Sequence, residues 1–471
     1  MIVLVGLMLI VFIALGTIII AKKNKTRAYI LLCIAIIHFL FTLYILNTSY
    51  LNLDALSKLI LLTLSTLYLG ISFHGITYFG KCQHHNSNKI VTISLVIFIT
   101  FATLMIIAQD LISMWIFLET ASLACTPLIY YNKTKASIEA TWKYLFLCSV
   151  GIVLALIGML FISYAASVSG MNHISLEFTT ILSNDKNFNP IWLKISFVFM
   201  FIGFATKTGL FPLHSWKADA YGVEPGIFGG LMAGGVTSLS WLALIRLIQI
   251  MNAAGESTLV HHVLIFFGII SILYASIATF NQLDIKKILA YSSIEHMGII
   301  ALGFGVGGVG VLGALFHIFN NALLKGAIFM TVGNIRRAYG QKTTEFINGA
   351  MSKIPITGTI FFISFLAIVG TPPFGSFFSM FYILQGVIAY SMTLAFLFML
   401  GLILIFIGMG KTVLGASRGK PQQIETGYKD TLGLYLSPLI FLGVILGVGI
   451  MMPDILQNLI MDSALLLEVK P

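Results

Sequence analysis

Charged side chains are scarce in this sequence. They make up 9% of its 471 residues, where a soluble domain carries about 25%. With 58% hydrophobic residues and a mean hydropathy of +0.99, that shortage excludes a soluble globule. The net charge of +10 is not a nucleic-acid signal, because the excess lies in short loops between apolar runs. Cysteine is also sparse. Cys33, Cys82, Cys125 and Cys148 show no CxxC spacing, and three of them fall in apolar runs where packing is the expected role. Cys82 with His84 and His85 is the one grouping of metal-ligand types, in a loop too short to close a site, so no metal is expected. Haem, flavin and phosphate-loop motifs are missing. The GVGGVG at 305–310 follows no strand and sits between apolar segments, which fails the context a dinucleotide site requires. No cofactor and no catalytic centre are expected on this chain. The first apolar run, 2–21, lacks a basic leader and a small-residue cleavage site, and lysines follow it. It reads as a spanning helix rather than a signal peptide.

What the sequence has is apolar runs of bilayer length. About 20 apolar residues cross a membrane as a helix, and about 14 such segments are expected on that criterion. They lie at 2–21, 28–47, 55–79, 90–109, 110–131, 141–165, 191–212, 225–250, 259–281, 287–304, 309–333, 356–388, 390–411 and 431–453. The fold class is an all-α polytopic membrane protein. The 356–388 run holds Gly370, Pro372, Pro373 and Gly375, and the 225–250 run holds Gly226, Gly229, Gly230, Gly234 and Gly235. Both are expected to be interrupted helices. Non-helical backbone at membrane depth is tolerated only against protein or a water-filled cavity, and a pair of interrupted helices in the two parts of a chain points to inverted repeats and a transport path.

The loops give an orientation. With the amino terminus outside, Lys22, Lys23, Lys25, Arg27, Lys81, Lys89, Lys133, Lys135, Lys217, Lys286, Lys287, Arg336, Arg337, Lys342, Lys353, Lys411, Arg418, Lys420 and Lys429 fall on the inner side, while Lys58, Lys186, Lys194, Arg246 and Lys470 fall outside. That asymmetry is the positive-inside pattern. Both termini are then outside, and a multi-pass protein of a prokaryotic inner membrane is expected. The loops at 166–190 and 412–430 are too short to be domains.

A short list of polar residues remains within the spans: Glu119, Lys143, Lys207, Glu295, His296, His317, Asn321 and Lys325. An ionisable group at bilayer depth costs roughly 2.5–3.5 kcal/mol on insertion scales, so it faces protein or water and marks a functional site by default. Glu119 and Lys207 have opposite sign and similar depth, and each offsets the other's desolvation. Five residues after Lys207, Pro212 breaks or kinks the helix, and His214, Trp216, Asp219 and Glu224 follow. His317, Asn321 and Lys325 stand at i, i+4 and i+8, a file of roughly 12 Å along one helix face that suits a hydrated proton wire. Lys143 stands near the inner end of its helix, where snorkelling is the alternative. For Glu295 and His296 a structural pair is the alternative.

These residues carry a resemblance. KTGLFPLHSWKADAYGVEP (207–225) is similar to the lysine, Pro-x-His-x-Trp and Asp-Ala signature of the antiporter-like subunits shared by respiratory complex I, Mrp cation/proton antiporters and membrane-bound hydrogenases. FLETASL around Glu119, WKYLFLCS around Lys143, LFHIFNNALLKGAIF from His317 to Lys325, and TPPFGSFFS with Pro372 and Pro373 resemble further motifs of that family. AYSSIEHMGIIALGFG (290–305) resembles the hydrogenase-4 component F type. The resemblance implies two inverted five-helix repeats with broken helices and a central polar axis. It implies flanking helices over 1–109, half-channel repeats over 110–250 and 251–411, and an inner loop with a last helix over 412–471. It also implies proton translocation, with Glu119–Lys207 responding to a neighbouring subunit and Lys325 relaying charge onward. Two positions depart from the family: Met380 stands where Lys or Glu is usual, and Ser238 where Lys or His is usual.

The expected function is a membrane subunit moving protons or other cations, such as Na+, within a multisubunit redox complex of hydrogenase or complex I type. Its partners would be other membrane subunits, a soluble redox subunit and the lipid bilayer, with no nucleic acid. The alternatives are an ion-coupling subunit of an inorganic-carbon uptake complex with a soluble zinc-binding, carbonic-anhydrase-like partner, and an Mrp-type antiporter subunit.

Overall fold

The structure, a computed structural model, describes residues 2–48, 51, 53–80, 85–171, 175–184, 187–280, 282–420 and 428–467, and the side chains of these except at 2–8 and 85–86. The Cys82, His84 and His85 side chains lie outside the described residues.

Every described element of length is a helix. The first group is α1 (Ile2–Ile20), α2 (Asn24–Leu46), α3 (Ala55–Gly80) and α4 (His85–Ile107). α5 (Leu111–Ala124) continues through α6 (Thr126–Ile129), and α7 (Lys135–Val168) is followed by the loop helix α8 (Phe178–Ser183). Next come α9 (Pro190–Thr208), α10 (Ser215–Val223), α11 (Gly226–Leu231) and α12 (Thr237–Ala253). α13 (Ser257–Thr279), α14 (Ile285–Val306), α15 (Val309–Tyr339), α16 (Ala350–Lys353), α17 (Pro355–Ile368), α18 (Gly375–Tyr390), α19 (Met392–Ser417), α20 (Leu432–Ile450) and α21 (Asp454–Leu465) complete the chain. Among the described residues, 12 helical passages are long and apolar enough to cross a membrane, and α17, α18 and the described part of α1 add shorter apolar ones. Each expected run is accounted for, with 356–388 divided between α17 and α18. α21 was not expected. It packs against α3 and α15, and its end is tied down by a hydrogen bond from Asn252 Nδ2 to the Leu467 carbonyl at 2.9 Å.

The interrupted helices fall partly where the sequence indicates. α17 stops at Ile368, and Thr371, Pro372 and Pro373 separate it from α18, with a cis Pro372–Pro373 bond. The glycine-rich 225–250 run, by contrast, is not broken. It stays helical through a π-turn at Met232–Val236. Its glycines serve close packing: a Cβ on Gly226 would lie 2.2 Å from the Phe329 carbonyl oxygen, and one on Gly234 would lie 2.7 Å from that of Ala322. Small residues let two spans approach backbone to backbone, and here they seat α11 and the π-turn on α15. The break in the first half is at 209–214, where Pro212 indicated it. Gly209 ends α9 with φ 72° and Phe211–Pro212 is cis.

Both breaks leave backbone carbonyls without helical partners, and side chains at the break and in the following half-helix satisfy them. Trp216 Nε1 donates to the Thr206 carbonyl at 2.9 Å, and the Lys217 ammonium to that of Thr208. Ser376 Oγ donates to the Ala367 carbonyl at 2.5 Å, and Thr371 Oγ1 to that of Leu366 at 2.8 Å.

Loops that alternate along the chain pair on two separate sides. Asp110 bridges to Glu177, Arg246 to Asp54, and Lys194 to Glu256. On the other side Asp284 bridges to Thr343, Lys143 and Lys287 reach Asp219, and Gly349 bonds to Arg418. The second side carries the lysine-rich loops. Burial sorts the spans as well. The 226–253, α14 and α15 passages are 100%, 94% and 89% buried, whereas α2, α7, α19 and α20 are 33–39% buried. The first three form the interior, and the others present apolar side chains to lipid.

Candidate functional site

The interior spans carry most of the polar residues. Glu119 projects from α5 and Lys207 from the last turn of α9. Lys207 Nζ lies 2.5 Å from Glu119 Oε2 and 2.6 Å from Ser122 Oγ. Lys207 is 1% exposed and Glu119 15%. A buried ion pair is held only where further hydrogen bonds satisfy its remaining valences. Ser122 supplies one, because its hydroxyl sits within bonding distance of both charged groups. Ser149 approaches the other carboxylate oxygen at 3.5 Å. Tyr144 fixes this turn of α5 by donating to the Ser122 carbonyl at 2.8 Å, and its ring packs edge-on against Trp216. The broken-helix motif and the acidic helix are thus clamped around one ammonium–carboxylate contact.

The second cluster lies between α14, α15 and α18. Lys325 Nζ donates to Ser292 Oγ at 2.9 Å. His296, one turn beyond Ser292, has Nδ1 2.8 Å from His317 Nε2, and His317 Nδ1 is 2.8 Å from Ser379 Oγ. The two imidazoles stack with centroids 5.0 Å apart, and Lys325, Ser292, His296 and His317 are all fully buried. His317 is therefore bonded through both ring nitrogens and His296 through Nδ1 alone. His296 Nε2 is open, with no partner. Glu295 is buried beside Lys325, within its electrostatic reach.

Of the expected residues, Glu119 and Lys207 meet, as their opposite charges required. His317, Asn321 and Lys325 share a face of α15 but do not bond to one another. α14 supplies the rungs, and Asn321 Oδ1 has no partner. Glu295 and His296 do not pair with each other, since His296 turns to His317. Lys143 does not enter the interior. Its side chain is 45% exposed and bridges Glu139 at 2.7 Å and Asp219 at 2.9 Å, because its place near the start of α7 lets the ammonium reach the loop side. His214 lies in the first break, its ring 4.5 Å from that of Tyr274. Lys217, grouped by position with the inner loop, is fully buried.

Ser122, Ser292 and Ser379 escape sequence reading because serine is common in spanning helices. Their only signal is position: Ser122 is three residues after Glu119, Ser292 is four before His296, and Ser379 closes the TPPFGSFFS stretch. Ser238 bonds its own helix, donating to the Gly234 carbonyl at 2.6 Å. Met380 borders an apolar pocket with Phe377, Phe398 and Phe406, so the polar path ends at Ser379.

Comparison with known proteins identifies the family and the fold. Residues 108–408 match the family described as NADH:quinone oxidoreductase/Mrp antiporter, transmembrane. A hydrogenase-4 component F homolog of Methylacidiphilum infernorum is 34% identical over 316 residues, 67% of this chain and 65% of that protein. NADH-quinone oxidoreductase subunit N of Desulforudis audaxviator is 33% identical over 279 residues, 59% of this chain and 54% of its own length. The chain thus spans between half and two thirds of these relatives. In fold it is similar to a chain of the membrane-bound sulfane sulfur reductase, an archaeal respiratory membrane complex, with a TM-score of 0.87, 20% identity and coverage of 98% and 96%. It is also similar to a chain of the Mrp complex from a Dietzia species, with a TM-score of 0.85, 16% identity and coverage of 99% and 97%.

Proposed function

The chain belongs to the NADH:quinone oxidoreductase/Mrp antiporter transmembrane family, and on that premise we propose that it is a proton-translocating subunit of a multisubunit membrane complex driven by redox chemistry on other chains. The observation that carries this reading is the Glu119–Lys207–Ser122 contact, a buried ion pair at the end of an interrupted helix. Such a pair has two arrangements. Closed, each charge neutralises the other. Opened by movement of α5 or by a charge on a neighbouring subunit, it leaves Lys207 with an uncompensated ammonium in a dry interior, and that ammonium drives a proton onward. The Lys325–Ser292 contact and the His296–His317–Ser379 file are the receiving side. A proton arriving at one imidazole nitrogen is matched by release from the other. The file favours protons over Na+, because it offers nitrogen donors and acceptors rather than an oxygen cage.

The partners in this reading are further membrane subunits and a soluble redox subunit. The lysine-rich side faces the cytoplasm of a prokaryotic inner membrane, with both termini on the opposite face. The test is Lys207→Ala in inverted membrane vesicles, with proton uptake followed by a pH-sensitive dye and co-purifying subunits identified by mass spectrometry. Loss of uptake with an intact, redox-carrying assembly supports the reading. Uptake that survives the substitution refutes the axis, and a single soluble zinc-binding partner refutes the redox drive.

A further inference from the structure

Two buried lysines, Lys217 and Lys286, take no part in either cluster, and Lys286 reaches the Glu224 carbonyl. Lys217 lies on α10 and is fully buried. Its single described hydrogen bond goes to the Thr208 carbonyl. Among the described residues no carboxylate pairs with it, since Asp219 on the same helix turns to Lys143 and Lys287. An unpaired ammonium in a protein interior is costly, and a backbone carbonyl offsets only part of that cost.

The break in the chain makes its room. Gly209 is the left-handed residue that ends α9, and a Cβ there would lie 2.6 Å from Lys217 Cδ, 2.7 Å from Cε and 3.0 Å from Nζ. A side chain at 209 would fill the slot that the lysine occupies. Thr208 follows Lys207 directly. α10 packs against α14, and Lys217 is within electrostatic reach of His296 and Lys325. Cys148 and His214 are the other titratable groups within that reach.

Resting on the proposed function, we propose that Lys217 is the proton relay between the Glu119–Lys207 pair and the Lys325–His296 cluster, held in the slot that Gly209 leaves open at the helix break. Opening of the Glu119–Lys207 pair places a second positive charge one residue from the Lys217 contact and expels its proton toward Ser292 and His296. Closing the pair restores the proton from the Lys207 side. At the start of α12 the Thr237, Ser238 and Ser240 hydroxyls all donate to carbonyls of the preceding turn, so the connection runs through α10 instead. The competing role for Lys217 is a cap on the carbonyl end of α9 and nothing more.

The experiment is proton flux in proteoliposomes holding the intact complex, with Lys207→Ala as the control. Lys217→Met lowers flux at least about tenfold, the order expected when a positioned proton donor is lost, while assembly is retained. Lys217→Arg keeps the charge and the cap but does not give up its proton, so its flux stays as low. Lys217→His keeps a titratable nitrogen, recovers part of the flux and moves the pH profile to lower pH, which a cap alone would not do. Should Lys217→Met fail to assemble, the Arg and His variants decide by the same readings. Flux within about twofold of wild type in Lys217→Arg, with Lys207→Ala inactive, overturns the relay alone. Flux that persists in Lys207→Ala instead overturns the proposed function on which it rests.

Discussion

The Glu119–Lys207 contact makes a prediction whose size follows from elementary titration. Lys207→Met leaves a buried carboxylate with only the Ser122 and Ser149 hydroxyls described beside it, and Glu119→Gln leaves a buried ammonium with Ser122 and a neutral amide oxygen in place of its counter-charge. The penalty has a ceiling, because a stranded charge neutralises itself once that becomes cheaper than staying charged. Discharging a lysine at pH 7 spans about 3.4 units at about 1.36 kcal/mol each, or about 4.6 kcal/mol. For a glutamate the span is about 2.7 units and the ceiling about 3.7 kcal/mol. Lys207 is the more deeply buried partner, so Glu119→Gln comes nearer its ceiling. The double variant strands nothing and regains most of the loss, giving a coupling of about 3 kcal/mol. Thermal unfolding of the purified complex in mild detergent, with all four forms measured across pH, reads this cycle. The pH dependence has opposite sign in the two single variants. An unpaired carboxylate is relieved by gaining a proton, so the Lys207→Met deficit shrinks as pH falls. An unpaired ammonium is relieved by losing one, so the Glu119→Gln deficit shrinks as pH rises. Additive losses that do not vary with pH would refute the pairing as an energetic unit.

Other outcomes follow from the same geometry. Ser292→Ala removes the described hydrogen bond of Lys325 and slows proton flux about tenfold, since a hydrogen bond to a charged group is worth about 1.5 kcal/mol or more; unchanged flux would separate Lys325 from α14. Met380→Glu extends the polar file beyond Ser379 into the apolar pocket and raises flux, and an unaltered rate would show that the exit there is not limiting. Arg246→Ala breaks the two contacts to Asp54, at 2.5 and 2.9 Å, and one to Ser57, costing about 2 kcal/mol on thermal unfolding for a partly buried pair. Burial alone would raise the Asp54 carboxyl, but Arg246 and Ser57 hold it below its ordinary range. That contribution is present above about pH 4 and lost as pH falls further, so the Arg246→Ala difference narrows in acid.

Much of the architecture is legible in the residues because the bilayer enforces it. Runs of apolar residues must become helices, and the loops' lysines sort by side. Glu119 and Lys207 are found from sequence because isolated charges of opposite sign within spans have little to stabilise them except each other. Glycine misleads. The 225–250 run and the 209–214 break both hold it, and composition does not tell a glycine that ends a helix from one that admits a neighbouring backbone. Gly226 and Gly234 do the second and Gly209 the first. Three-dimensional neighbours are the other blind spot. Nothing in the spacing of His317, Asn321 and Lys325 reveals that α14 brings His296 to His317 and Ser292 to Lys325. Lys217 and Lys143 show the same limit in opposite directions. The first sits beside loop residues and is buried, and the second sits in an apolar run and reaches the surface along its own flexible stem.

The most direct measurement is proton movement by the intact complex in liposomes with Lys325→Met beside wild type, followed by an internal pH indicator while the redox partner turns over. A midplane axis predicts normal assembly and loss of internal pH change in the variant. Wild-type pH change without the Lys325 ammonium would contradict it, because no other group described on α15 bonds to Ser292.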